Sequence, residues 1–209
     1  MTSKGTIVLA VLAGACLLVA CGKPAEKPAA APEPAPAAAA PAPEAPAPPA
    51  GVTKVTIAST HGAWPKEDVP DFGAPTAVAF KDSSVGNASV MVAISSYAFA
   101  PANRQDYTAH KAVEKGQARV ELWLIRQKQV APGETVEFVA GTYDPTKAQG
   151  QVEMTASANI VLTGGTSLTF SSPTGTIEVT SVTADSIAGK FDIKDKWTQL
   201  SGEFSAPLR

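Results

Sequence analysis

Beyond Gly51, apolar and β-branched side chains recur at every second position, and that period leaves the chain few ways to fold. Each such stretch puts its apolar residues on one face of a strand, which must then pair and bury that face. Gly, Pro, Asn and Asp interrupt the alternation where turns are needed. The pattern predicts strands at 54–59, 76–81, 88–97, 119–128, 135–143, 151–157, 160–163, 167–171, 176–182, 187–193 and 198–205. So many short strands in one chain make an all-β domain, an antiparallel β-sandwich or a closed barrel. The sandwich is favoured, because the strands are uneven in length and 119–128 carries apolar residues on both faces. A calycin-like β-barrel is the alternative.

Local chemistry supports several joints. In Ala131-Pro132-Gly133-Glu134 the Pro and Gly stand where a type II turn wants them. Gly164-Gly165 reads as a tight hairpin turn, and Pro173-Thr174-Gly175 as another break. Only "DYTAHKAVEKG", 106–116, has a helical look, with Asp106 as its cap and Gly116 as its end; a polar loop is the other reading. Near the C-terminus, Ile187-Ala188-Gly189-Lys190-Phe191 is echoed thirteen residues later by Leu200-Ser201-Gly202-Glu203-Phe204. A turn centred between Asp195 and Lys196 sets Gly189 opposite Gly202 and Phe191 opposite Leu200. Ile187, Phe191, Ile193, Leu200 and Phe204 then share one face, and Lys190, Asp192 and Glu203 the other. The gap between facing glycines suits a side chain lying across it, Trp197 or another core aromatic.

The C-terminal pattern "GTIEVTSVTADSIAGKFDIKD…LSGEFSAPL" is similar to the ending of many small secreted bacterial β-domains. That likeness covers about 35 residues and describes strand geometry, so it implies no activity.

Ahead of the β region lie two segments of different character. Residues 1–20 hold a positive start at Lys4 and an unbroken run of apolar and small residues from Ile7 to Val19. A membrane-spanning helix takes about 20 apolar residues, so the run is short for a stable span and suits a signal-peptide core. A secretory signal cut after a small residue is one reading. Leu18-Val19-Ala20-Cys21, however, resembles the lipobox of bacterial lipoprotein precursors. The resemblance implies diacylglyceryl transfer to the Cys21 thiol, cleavage before Cys21, and acylation of the new amine. Two or more chains anchor stably where one is marginal. Gly22 stands where Asp is associated with inner-membrane retention, which favours the outer membrane of a Gram-negative bacterium. Cys16 leaves with the signal peptide.

Residues 21–50 follow as a tether. Ten prolines occur in the 28 residues from Lys23 to Ala50, and the apolar content is alanine, which builds no core. Such a segment is expected to be disordered and extended, reaching roughly 80 Å at most. It lacks the flanking Arg or aromatic residues of a specific Pro-rich ligand, so it reads as a spacer.

The domain at 51–209 is one domain's worth of chain. Both cysteines lie outside it, so it relies on its core, without disulfide or thiolate chemistry. With Lys4, Lys23 and Lys27 set aside, 14 of the 17 basic residues lie in it, scattered among 16 of the 19 acidic ones. That scatter gives no support to nucleic-acid binding.

Candidate chemistry is sparse. His61 sits in a loop with Asp68 and Asp71, but no G-x-S-x-G elbow supplies a nucleophile. His110 has only Glu114 four residues on, and zinc needs three or four ligands. Asp192 and Asp195 lack the further oxygens of a calcium loop. Gly164-Gly165 has no following Lys-Ser/Thr and is no phosphate loop, and Asn87-Ala88-Ser89 fits an acceptor pattern only incidentally. No catalytic residue, metal ligand or cofactor is therefore assigned. The two longest irregular stretches, 60–75 and 99–117, carry the binding candidates His61, Trp64, Phe72, Arg104 and Tyr107, beside Tyr97 and Phe99. On a rigid β scaffold such loops are where recognition residues reside. Exposed there, they would stack on a glycan, a peptide or a protein; the competing reading is that they cover the open end of the sandwich.

The leading expectation is a membrane-anchored lipoprotein of the cell envelope, with a non-enzymatic β-domain binding a protein, glycan or envelope component. A hydrolase using dispersed carboxylates or His61, and a carrier of a small apolar ligand inside a barrel, are the alternatives.

Overall fold

The alternation of side chains is realised in ten strands among the described residues, which in this computed structural model are 53–60, 71–109 and 113–209. They form two antiparallel five-stranded sheets packed face to face. The first sheet has the order β1 (Lys54–Ser59), β10 (Thr198–Pro207), β9 (Ser186–Lys194), β8 (Thr174–Val182), β5 (Gly141–Tyr143). The second runs β2 (Thr76–Ser84), β3 (Asn87–Ser95), β4 (Arg119–Gln127), β6 (Met154–Val161), β7 (Ser167–Thr169). The architecture is the expected β-sandwich.

Its interior is filled by one face of each strand. Val90, Val92, Ile94, Leu122, Leu124 and Ile160 meet Ile177, Ile187, Ile193, Leu200 and Phe204, all buried. Each such side chain contributes roughly 1.5–3 kcal/mol by leaving water. Short parallel bridges, Ala79 with Leu208 and Asp144 with Thr155, stitch the sheets together at two corners. They do not extend into ladders, so the calycin-like alternative fails: no closed barrel forms among the described residues.

Four local expectations are corrected. First, 151–157 and 160–163 are one strand, β6, because Ser157, Ala158 and Asn159 stay in register with Trp123, Leu122 and Glu121. Second, 135–143 pairs as a ladder only over β5. Arg126 Nη1 donates to the Glu137 carbonyl at 2.8 Å, while Val136 and Phe138 keep their alternate burial without strand partners. Third, the helix α1 spans Arg104–Ala109, and its cap is Asn103, whose Oδ1 accepts from the Asp106 amide at 2.9 Å. Asp106 instead reaches back to the Ala102 amide at 2.8 Å. Residues 110–112, His110 among them, lie outside the described residues.

The fourth concerns the last hairpin. Gly189 faces Phe204, and Gly202 faces Phe191, a register shifted by two residues from the expected one. Asp195 is the reason: its Oδ1 accepts from the Trp197 and Thr198 amides at 2.8 Å each, which starts the turn at Asp195 and centres it one residue later. A shift of two preserves every side chain's face. The five predicted core residues of the hairpin are accordingly all buried.

The Pro132-Gly133 turn closes as read, with Glu134 N–H on the Ala131 carbonyl at 3.0 Å and Gly133 at φ 89°. Gly164 and Gly165 lie in the β6–β7 hairpin, in a short 3-10 turn and longer than a two-residue connection.

Candidate functional site

The two sheets differ in what covers their outer faces, and that difference sets where a ligand has room. In the second sheet, Val78, Phe80, Met91 and Ala93 point away from the sandwich interior, yet they are buried. Phe99 and Tyr107, from the segment between β3 and β4, pack over them, with Tyr97 and Trp123 alongside. Coverage on both faces explains the uninterrupted apolar run of β3, which a half-exposed strand would not tolerate.

Beneath this cover lies a charged group that sequence reasoning overlooked. Arg119 is 1% exposed; its Nε and Nη2 donate to Glu121 Oε1 at 3.3 and 3.1 Å, and its Nη1 donates to the Tyr97 hydroxyl at 3.0 Å. The guanidinium carbon stands 5.0 Å from the Phe99 ring centre and 4.8 Å from that of Tyr107. The Tyr107 hydroxyl donates to the same Glu121 oxygen. Burial, and then the hydrogen bond to Glu121, push the Tyr107 hydroxyl far above its ordinary range. Burial alone would lower the Arg119 pKa, but Tyr107, Tyr97 and Glu121 more than offset it and raise it. The cluster thus carries fixed charge and fixed protons. Its chemistry is that of a clamp on the 97–107 segment: the Arg119–Glu121 pair lies on β4, and its contacts with Tyr97 and Tyr107 join that segment to the strand.

The predicted binding residues scatter. Cys21, His61 and Trp64 lie outside the described residues. Phe72 is 5% exposed and belongs to the inter-sheet core, away from the others. Arg104 and Tyr107 do come together, both on α1. Arg104 places its guanidinium 4.6 Å from the Trp123 ring centre, and Tyr107, 5% exposed, faces inward. The expected exposure therefore fails for Phe72, Phe99 and Tyr107. Phe99 and Tyr107 do not cover the open end of the sandwich either; they cover the outer face of the second sheet over β2, β3 and β4. One signal for this was legible: Arg119 and Glu121, two residues apart, stand on the same face of a strand whose other face is apolar.

The outer face of the first sheet has no such cover among the described residues, and it is mostly polar, with Ala58 and Ala188 among its side chains. The register arranges it in rows across the strands. Lys54, Glu203, Lys190 and Glu178 form one row, alternating in charge, with Lys190 Nζ 3.0 Å from Glu178 Oε2. Thr56, Ser201, Asp192 and Thr176 form the next, and Ala58, Gln199, Lys194 and Thr174 the third. Short side chains in the middle row lie between longer ones, leaving an open cavity of about 550 Å³ lined by Lys54, Thr56, Thr176, Lys190, Asp192, Ser201 and Glu203. Asp192 Oδ1 accepts from Gln199 Nε2 at 3.2 Å. Lys190, Asp192 and Glu203 were legible as one polar face; the rows depend on the true register and were not.

Of the acidic residues raised for other chemistry, Asp192 stands on β9 in this groove, Asp68 lies outside the described residues, and two are engaged in turns. Asp71 accepts from the Gly73 amide at 3.0 Å, and Asp195 holds the β9–β10 turn. Among the described residues no three His, Cys, Asp or Glu side chains stand close enough to hold a metal ion.

No family model matches this chain, and comparison with curated proteins and with solved structures gives no match.

Proposed function

We propose that the chain is a lipoprotein of the bacterial cell envelope, held to the outer membrane through acyl chains on Cys21, and that its β-sandwich is a non-enzymatic binding module. The anchor reading rests on Leu18-Val19-Ala20-Cys21 at the end of a short apolar run, followed by a proline-rich spacer. The binding reading rests on one observation: among the described residues, one outer face is covered over β2, β3 and β4 by its own aromatic residues and a buried Arg119–Glu121 pair, while the other is open, grooved and mostly polar. A rigid scaffold with one free face suits recognition of an envelope component, a protein or a glycan.

Intact-mass analysis of the detergent-extracted chain tests the anchor. The expected species begins at Cys21 and carries diacylglyceryl and acyl mass; a Cys21 terminus without added mass overturns it. Cross-linking of the full chain in intact envelopes tests binding. Capture of envelope components is expected, and turnover of a small substrate with nothing captured overturns the module reading.

A further inference from the structure

Resting on that binding reading, we infer that the groove on the outer face of the first sheet takes an uncharged, hydroxyl-rich glycan strand lying across β1, β10, β9 and β8. The middle row supplies a floor of hydroxyls from Thr56, Ser201 and Thr176 with the Asp192 carboxylate among them. The neighbouring row supplies the rim, in which Lys54 and Lys190 donate and Glu203 accepts. Strands in a sheet are about 4.8 Å apart, so the floor runs roughly 14 Å across four of them, the length of a short oligosaccharide. Along the rim, donor and acceptor alternate through Lys54, Glu203 and Lys190, while each floor hydroxyl is both, as a sugar hydroxyl is.

Three features select the ligand class. The two lysines and two carboxylates of the lining balance, so the groove favours neither a polyanion nor a polycation. Its one aromatic, Phe191, turns its ring into the core and is 3% exposed, which leaves no anchor pocket of the kind that carries protein–protein affinity. The floor crosses the face of the sheet, and its central strands β10 and β9 are paired on both sides, so an extended peptide lying across them gains no added-strand hydrogen bonds there.

The test is calorimetric titration of the full chain in detergent with four neutral probes: chitopentaose, cellopentaose, maltopentaose and mannopentaose. Binding of at least one is expected. Asp192→Asn, which keeps the shape, should weaken it several-fold, and Thr56→Leu with Ser201→Leu, which fills the floor, by about tenfold or more. Thermal unfolding of each variant checks that the fold persists, and Asp192→Asn stands as the second probe if the leucine variant fails to fold. Three results would overturn the inference: binding of none of the four, binding indifferent to Asp192→Asn, or equal competition by pentagalacturonate or by a peptide of alternating Lys and Glu. Envelope capture that survives the same substitutions leaves the binding module standing while the groove falls.

Discussion

Phe191 lies against the backbone of Gly202, its partner across the β9–β10 hairpin, so closely that a Cβ on Gly202 would stand 2.8 Å from the ring's Cζ. The same Cβ would meet the Lys54 carbonyl oxygen at 2.0 Å on the neighbouring strand. Gly189 repeats the arrangement with Phe204, and the two rings stack at 6.4 Å between centres. The glycines that suggested a gap thus each receive a phenylalanine, and the hairpin is closed by ring-on-backbone packing.

Gly202→Ala should therefore destabilise the domain by about 3 kcal/mol, since backbone on one side and a buried ring on the other must both yield. Gly73→Ala, whose Cβ meets nothing within 4 Å, should stay within about 0.5 kcal/mol. Urea denaturation of the two variants measures the contrast.

Arg119→Met leaves the Glu121 carboxylate, 12% exposed, with its countercharge removed. A loss of about 3 kcal/mol is expected. Adding Glu121→Gln should recover at least about 1 kcal/mol, because the uncompensated charge is then gone while an acceptor for Tyr107 remains. A double-mutant cycle in urea reads the coupling.

Tyr107 and Tyr143 both carry hydroxyls whose pKa burial raises well above the ordinary value of 10.0. A folded-state pKa above the unfolded one means that the native chain holds protons the unfolded chain gives up. Their contribution to stability is therefore complete below about pH 10 and falls as pH rises beyond it. Phenolate absorbance from these two should appear together with unfolding, and Tyr107→Phe should remove one of them from that step. An absorbance titration followed alongside circular dichroism checks it.

The C-terminal residues close one seam between the sheets. Arg209 donates its amide to the Ala79 carbonyl at 2.9 Å, accepts from the Lys81 amide at 3.1 Å, and sends Nη1 to the Pro101 carbonyl at 2.7 Å. Removing Leu208 and Arg209 should lower stability by about 1–3 kcal/mol. Amide exchange along β2 should rise more than along β4, which lies inside the sheet.

What the sequence determined by itself was the fold class, the positions of most strands and the face on which each side chain stands. Those follow from a period of two, a local property that survives a register error of two residues, as the last hairpin demonstrates. The Pro132-Gly133 turn was legible for the same reason, because one glycine's positive φ is a local demand. Tertiary structure alone decided which faces are covered. Phe99 and Tyr107 carry the aromatic, loop-borne signature of a recognition surface, yet they are buried because β2, β3 and β4 offer them an apolar outer face. Arg119 and Glu121 look like two ordinary strand charges until that cover closes over them. The row of Thr56, Ser201, Asp192 and Thr176 spans 145 positions of sequence. No local pattern relates side chains so far apart; only strand order and register, set by the Asp195 turn and the packing of two sheets, bring them into one groove.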